Sequence, residues 1–135
     1  MSVETVNPNG VFKPTTYSQV SIARGTKTIY LSGQVAMDEH GVVVGKGDLA
    51  AQAEQAYLNV GTALKGVGAT FQDIAKLTVY VVGWTPDKME KLVAGAMRTV
   101  PKIGFDPKRP ITLIGVASLA SPDFLIEVEA VAVLE

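Results

Sequence analysis

The sequence predicts an α+β fold, a two-layer domain in which two helices cover one face of a mixed sheet. Two segments, 48–67 and 85–100, space apolar residues three and four positions apart, which is typical of amphipathic helices. Five other segments alternate apolar and polar residues, which is typical of strands. Because the sequence contains no internal repeat and no linker, we expect one domain over residues 1–135.

The first half of the sequence predicts an arm, two strands and a helix. Residues 1–16 are interrupted by prolines and asparagines, so we expect an extended arm with turns. Strands are expected at 17–23 and 28–37. Asp48 is a suitable N-cap for the first helix, and two glycines supply its end.

The second helix is predicted from its boundaries as well as from its apolar spacing. It follows a strand expected at 77–82. Thr85 is expected to be its N-cap and Pro86 its first helical residue. Pro101 is expected to end it.

The last quarter of the chain, Arg109 to Val133, is predicted to form a hairpin of two long apolar strands. The strands are expected at 111–119 and 124–133, joined by a turn at 120–123. The turn contains Ser-Pro-Asp, in which proline presets the backbone and the polar side chains bond to it.

Two carboxylates interrupt an apolar face of the last strand. Because side chains alternate along a strand, Glu127 and Glu129 share one side with Leu125, Val131 and Val133. A buried unpaired carboxylate is costly, so these glutamates are expected at the wet rim of the sheet or facing a partner or a ligand.

The second face of the predicted sheet has no helix to cover it. Charged residues make up only 19% of the chain, which leaves little polar surface for a monomer. Other copies of the chain are the simplest cover, and cyclic closure would join several sheets into a barrel-like core. Clefts between subunits are then the natural place for a site.

The composition argues against several classes of function. The net charge of −1 and the lack of basic runs argue against nucleic-acid binding. With no cysteine and one histidine, His40, in a predicted loop, the chain is expected to need no metal. No signal-peptide pattern and no membrane-length apolar run occur, so we expect a cytoplasmic protein without membrane contact.

Several motifs in order along the chain carry a resemblance to a known family. They are Tyr17-Ser18-Gln19, Leu31-Ser32-Gly33-Gln34-Val35, Asp48 to Ala53 with Asn59-Val60, Asp73 to Val81, Val116 to Leu119 and Ile126 to Ala130. Together they resemble the RidA/YjgF family of reactive-intermediate deaminases.

This resemblance implies a fold and a function. The family has a chorismate-mutase-like α+β domain that forms a barrel-like homotrimer with three clefts between subunits. Its active members hydrolyse enamine and imine intermediates such as 2-aminoacrylate to a 2-keto acid and ammonia. They use no cofactor and no metal. The ligand expected here is therefore a small 2-keto or 2-imino acid.

The resemblance also implies catalytic residues. Glu127 falls on the acidic position, where a carboxylate positions and activates the attacking water. An arginine in the family grips the substrate carboxylate, but Ile111 stands at that position here. Arg109 lies two residues earlier and is a candidate substitute, because an arginine binds a carboxylate through two parallel bonds. Otherwise Arg109 is a surface or inter-subunit cation.

Other positions are implied to line the pocket. Tyr17 matches an aromatic wall, with packing in the core as the alternative, and Ser32 and Gly33 match a strand that lets backbone donors reach the ligand. Leu113 is assigned to the lining beside Ile111. The chain departs from the family a second time at Lys91, where the deaminases carry an asparagine.

Two other functions are retained as alternatives. One is a non-catalytic trimer that binds a small metabolite or a protein partner in the same clefts. The other is an endoribonuclease or translation inhibitor, a name that this family has often carried. The absence of a basic surface makes this second alternative the weaker one.

Overall fold

The structure is a computed structural model that describes residues 2–135. Within this range, six strands and three α-helices follow one another. They are β1 (Val3–Val6), β2 (Val20–Ala23), β3 (Lys27–Tyr30), α1 (Leu49–Gly66), β4 (Ile74–Val82), α2 (Met89–Met97), α3 (Val100–Ile103), β5 (Ile111–Val116) and β6 (Ile126–Leu134). Short 3₁₀ turns, Phe71–Asp73 and Pro86–Lys88, precede β4 and α2.

Four strands form the main sheet in the order β3-β6-β4-β5. The β4–β5 pair is parallel, whereas β6 runs antiparallel to both β3 and β4. Strands β1 and β2 form a separate antiparallel pair. Helices α1 and α2 pack against each other, and α1 also packs against β6. The predicted α+β class with two helices on a mixed sheet is therefore confirmed.

Helix α1 forms where it was predicted. The side chain of Asp48 accepts a hydrogen bond from the backbone N–H of Ala51, as an N-cap does. The helix ends at Gly66, and the N–H of Val67 bonds back to Leu64. Gly68 follows with φ of 82°, a conformation that glycine adopts without strain.

Helix α2 begins and ends differently from the prediction. Pro86 opens a 3₁₀ turn, and the Thr85 side chain makes no capping hydrogen bond there. The helix ends at Met97, before Pro101, which lies in the first turn of α3. Proline suits a first helical turn because the N–H that it lacks would have no partner there. Pro101 therefore starts a helix rather than ending one.

The core lies between α1 and the main sheet. Leu77, Val79 and Val81 of β4 point towards the helices, and Ile126 and Val128 of β6 join them. Three aromatic rings close one end of the core. Tyr57 and Phe71 each pack edge-on against Phe105, and they are tilted relative to each other.

The predicted hairpin of the last quarter is wrong, because β4 lies between β5 and β6. The turn itself exists, since the N–H of Phe124 bonds to the carbonyl of Ser121. A turn motif reports that the chain reverses direction, not that the flanking strands pair. The nine-residue β4 offers β6 a longer partner than the six-residue β5 does.

The N-terminal third also differs from the prediction. The expected arm contains strand β1, which pairs with β2. The strand expected at 28–37 ends at Tyr30. Beyond it, the N–H of Leu31 still donates to Ala130 of β6, and Gln34 forms an isolated bridge with Val128. Gly33 therefore lies at an irregular part of the sheet, not within a regular strand.

The opposite face of the sheet carries no helix from residues 2–135. Glu127, Glu129, Val131 and Val133 lie on this side and are partly exposed, as the alternation predicted. Tyr30 of β3 is 77% exposed. The homotrimer that would cover this face stays a prediction.

None of the helices in residues 2–135 combines the length and the apolar content needed to span a bilayer.

Candidate functional site

A groove of about 800 Å³ lies between α2, β5 and the segment that precedes β2. This volume lies within the usual range for small-molecule pockets, roughly 300 to 1,000 Å³. Its walls are mostly apolar, and no residue that lines it is charged. The predicted lining residues Tyr17, Ile111 and Leu113 all lie in this groove.

Strand register explains why Ile111 and Leu113 face the groove. They stand beside Leu77 and Val79 of β4, whose side chains point towards the helices. Residues paired across neighbouring strands face the same side of a sheet. Ile111 and Leu113 therefore form part of the floor of the groove, on the side of the sheet that faces the helices.

Arg109 does not line the groove. Its side chain is only 3% exposed, so it is neither a surface residue nor free to face a second subunit. Nη2 donates to the Gln72 side chain at 2.9 Å and to Asp106 at 3.2 Å. Nη1 donates to the backbone carbonyls of Gln72 and Ile74. The guanidinium thus joins the loop before β5 to the start of β4.

Gly33 and Glu127 come together in a second region, and Ser32 precedes Gly33 in the chain. Ser32 is exposed, and Gly33 contacts the Glu127 side chain so closely that a Cβ on Gly33 would overlap it. Gln34 holds this contact in place, because it exchanges two backbone hydrogen bonds with Val128. A second cavity of about 410 Å³ begins at Gly33 and Gln34.

The two glutamates of β6 have different surroundings. Glu129 accepts a hydrogen bond of 2.6 Å from the Tyr80 hydroxyl, and this bond raises the pKa of Tyr80. The side chain of Glu127, by contrast, forms no hydrogen bond or ion pair within residues 2–135, although its backbone pairs with Tyr80 of β4. Its carboxylate is therefore the one available to a water molecule or a ligand.

The groove and Glu127 lie on opposite faces of the sheet. Glu127 stands beside Tyr80, and Tyr80 stands beside Ile114 on its other side. Ile111 and Leu113 alternate with Ile114, so their side chains point the other way. One chain therefore does not bring the acid and the groove to a single ligand.

Other residues of the groove were not singled out from the sequence. Met89, Val93 and Met97 of α2 form an open apolar wall, each between 44% and 48% exposed. Tyr57 of α1 also contributes to the lining, although it is only 2% exposed. A hydroxyl within an apolar helical stripe was the signal that could have identified Tyr57. Lys91 is exposed on the same helix and does not line the groove.

No group of three or more His, Cys, Asp and Glu side chains within residues 2–135 is arranged to hold a metal ion. The expectation that function needs neither metal nor cofactor stays a prediction.

The sequence is similar to curated deaminases. The 2-iminobutanoate/2-iminopropanoate deaminase of Rattus norvegicus is 30% identical over 117 residues, which are 87% of this chain and 79% of that protein. The protein of the same name from Homo sapiens is 36% identical over 77 residues, 57% of this chain and 53% of the human one. The match thus spans about half the length of the human relative.

A solved structure supports the same kinship. The crystal structure of YyfB from Yersinia pestis, described as a protein of unknown function of the conserved Rid protein family, superposes with a TM-score of 0.88. It is 34% identical and covers 99% of this chain and 100% of its own. The family model described as Endoribonuclease L-PSP matches residues 12–134, nearly the whole chain. The chain therefore belongs to the RidA/YjgF family, as its motifs predicted.

Proposed function

We propose that this chain hydrolyses reactive enamine and imine intermediates such as 2-aminoacrylate, giving a 2-keto acid and ammonia. The names of the rat and human relatives support this reaction class. The observation in this chain that carries the proposal is the free carboxylate of Glu127, which is partly buried and lies against Gly33.

Glu127 supplies the chemistry of a general base. An enamine first takes up a proton at carbon and gives up one from nitrogen, which converts it to an imine. Glu127 accepts a proton from water as the water oxygen bonds to the imine carbon, and the nitrogen takes up a proton as the C=N double bond becomes single. The hydroxyl of the resulting carbinolamine then gives up its proton as C=O forms, the nitrogen takes up a proton, the C–N bond breaks, and ammonia leaves. One water is consumed for each imine.

We infer that the complete site lies in a cleft between subunits of a homotrimer. The groove and Glu127 lie on opposite faces of the sheet. A second copy is therefore needed to place a Glu127 carboxylate next to a ligand in the groove. The sheet face around Glu127 exposes apolar side chains such as Tyr30 and Ile114, which suits contact with another copy. Light scattering that gave a monomer mass at micromolar concentration would contradict this arrangement.

A second candidate function is a non-catalytic trimer that binds a small metabolite in the same cleft. The observation that favours it is Ile111, because an isoleucine cannot grip the substrate carboxylate as the family's arginine does. Arg109 does not compensate in a single chain, since its guanidinium is buried against Gln72 and Asp106. We therefore propose that the chain belongs to a divergent subgroup without the carboxylate clamp.

An activity assay with paired variants separates the two functions. A second enzyme generates 2-aminoacrylate in the assay, and keto-acid and ammonia release are followed with and without this protein. For a deaminase, Glu127→Gln should lower the rate by at least about a hundredfold, the usual contribution of a general base. Glu129→Gln is the matched control, because it lies on the same strand and face and should change the rate less than about threefold. Equal losses in both variants would contradict the role of Glu127, and no rate above the background in the natural protein would favour the non-catalytic function.

A further inference from the structure

The groove beside β5 offers a ligand a mostly apolar surface without any charge. Its polar lining residues are all neutral: Thr15, Thr16, Tyr17, Gln19 and Tyr57. Its floor contains Leu77 and Val79, both 1% exposed, and its open wall contains Met89, Val93 and Met97. A carboxylate that entered would exchange water for neutral partners only, which is unfavourable. The lining therefore favours uncharged ligands over small anionic keto and imino acids, which agrees with the slow turnover of 2-aminoacrylate expected of a chain without the carboxylate clamp.

One polar group points to what the groove accepts instead. Tyr57 is 2% exposed and packs edge-on against Phe105, with ring centroids 4.9 Å apart. Its hydroxyl forms no hydrogen bond with another residue of the range 2–135. Within that range, Arg109 Nε is the one fully buried side-chain nitrogen or oxygen that lacks a hydrogen bond. The Tyr57 hydroxyl is thus not sealed in the core but keeps contact with the interior of the groove that it lines.

This hydroxyl is suited to donate. Burial raises the pKa of Tyr57 above its ordinary value, so the phenol stays protonated at neutral pH. A ligand with an acceptor in the right place would take this hydrogen bond in an apolar setting, where such a bond is stronger than in water. Buried tyrosine hydroxyls usually have such a partner.

We propose that the groove binds an uncharged, largely apolar ketone or imine, and that the Tyr57 hydroxyl donates a hydrogen bond to an acceptor atom of this ligand. The inference rests on the proposed function in taking this groove as the substrate site, and it names the substrate class. Aliphatic or aromatic imines without a carboxylate, and the ketones that they yield, fit the walls of the groove. A second copy of the chain that fills the groove is the competing occupant.

Three probes with a phenyl ring test the proposal by direct binding, without any catalytic step. Benzylacetone is a neutral ketone, phenylpyruvate is a keto acid, and butylbenzene has no acceptor. Dissociation constants are measured by NMR titration with the natural protein and with Tyr57→Phe. Benzylacetone should bind at least about tenfold tighter than phenylpyruvate, because no cation faces the groove.

The Tyr57→Phe variant removes only the hydroxyl that is proposed to donate to the ligand. Tyr57→Phe should weaken benzylacetone binding about three- to tenfold, the effect of one neutral hydrogen bond, and leave butylbenzene binding unchanged. The fold should survive, because the ring that packs on Phe105 is kept. Tighter binding of phenylpyruvate, no binding of benzylacetone, or equal losses for benzylacetone and butylbenzene in Tyr57→Phe would overturn the proposal.

Two further variants change the charge of the groove. Ile111→Arg places a cation in the same groove and should reverse the preference in favour of phenylpyruvate. Val93→Glu charges the open wall, so it should weaken benzylacetone binding without changing the oligomer mass, whereas a lower mass would show that another copy fills the groove. Ammonia release from 2-aminoacrylate without benzylacetone binding would overturn this inference alone. Benzylacetone binding without release of ammonia from any imine would overturn the proposed reaction and leave the binding site standing.

Discussion

Gly33 and Glu127 are in contact at the bridge that returns the chain to the sheet. A Cβ added to Gly33 would overlap the carboxylate, Cδ and Cγ of Glu127. Gly33 is not among the glycines with positive φ, so its backbone would accept another residue. The close approach of the Glu127 side chain, and not the backbone conformation, is what requires glycine here.

Gly33→Ala should therefore displace the Glu127 carboxylate without disturbing the fold. If Glu127 is the general base, a shift of about 1 Å should lower the deaminase rate by about a hundredfold. The rate is measured as keto-acid release, and circular dichroism checks the fold. Gly66→Ala is the matched control, because nothing lies within 4 Å of its added Cβ, and it should leave the rate unchanged. A Gly33→Ala protein with the natural rate would contradict the placement of Glu127 at the reacting water.

How much the sequence predicted can be seen from particular residues. Local signals were reliable: the Asp48 cap and the spacing of apolar residues located α1 to within one residue at each end. The side of the sheet that Glu127 occupies also followed from simple alternation. Strand pairing did not follow, because the turn at 120–123 constrains only neighbouring residues, whereas β4 enters between β5 and β6 through contacts distant in sequence.

The candidate site was predictable only in part, for a related reason. Family motifs identified Tyr17, Ile111 and Leu113, which the fold brings to one groove. The burial of Arg109 was not predictable, because its partners Gln72 and Ile74 lie more than thirty residues earlier in the chain. An arginine near a strand end has no sequence pattern that separates a buried cation from an exposed one.

Gly95 tests the packing of the two helices. A Cβ added there would overlap the backbone carbonyl of Ala50, which is rigid because it belongs to α1. Gly95→Ala should force α1 and α2 apart and lower the free energy of unfolding by about 1–3 kcal/mol, as overpacked cores do. Urea unfolding measures the change. A Gly95→Ala protein as stable as the natural one would contradict the contact between the helices, whereas Gly66→Ala, with open space around it, should lose no stability.

Ionised Glu54 should stabilise the fold at neutral pH and lose this effect at acidic pH. A hydrogen bond from Lys102, with Arg98 nearby, lowers the pKa of Glu54 in the folded chain. The folded state therefore favours the ionised form, and this stabilisation is present above the ordinary pKa of a glutamate and is lost as the pH falls through the lowered value. The pairs are partly exposed, so the contribution is below about 1 kcal/mol.

Glu54→Gln should thus lower the free energy of unfolding at neutral pH, and the difference from the natural protein should disappear as the solution becomes acidic. Urea unfolding at a series of pH values measures it. Glu90→Gln is the control, since Glu90 is exposed and has no ion pair within residues 2–135. A difference between Glu54→Gln and the natural protein that grew towards acidic pH would contradict the sign.

Arg109 and Ile111 supply the prediction that separates this chain from its active relatives. Arg109 is held by Gln72, Ile74 and Asp106, so Arg109→Ala should lower the free energy of unfolding by about 2 kcal/mol, because it leaves buried acceptors without a donor. It should change the binding of small carboxylates very little, because the guanidinium does not line the groove.

Ile111→Arg should have the opposite effect. A charge-assisted hydrogen bond contributes about 1.5–3 kcal/mol, so a new bidentate pair should strengthen binding of a small carboxylate at least tenfold to about a hundredfold. We expect slow turnover of 2-aminoacrylate by the natural protein and a gain in kcat/KM with Ile111→Arg. Val67→Arg is the control, because Val67 is exposed after the end of α1 and does not line the groove, so it should give no gain. If Arg109→Ala instead abolished a robust natural activity in a folded protein, Arg109 would be the carboxylate clamp, and the chain would act on 2-imino acids as the relatives' names describe.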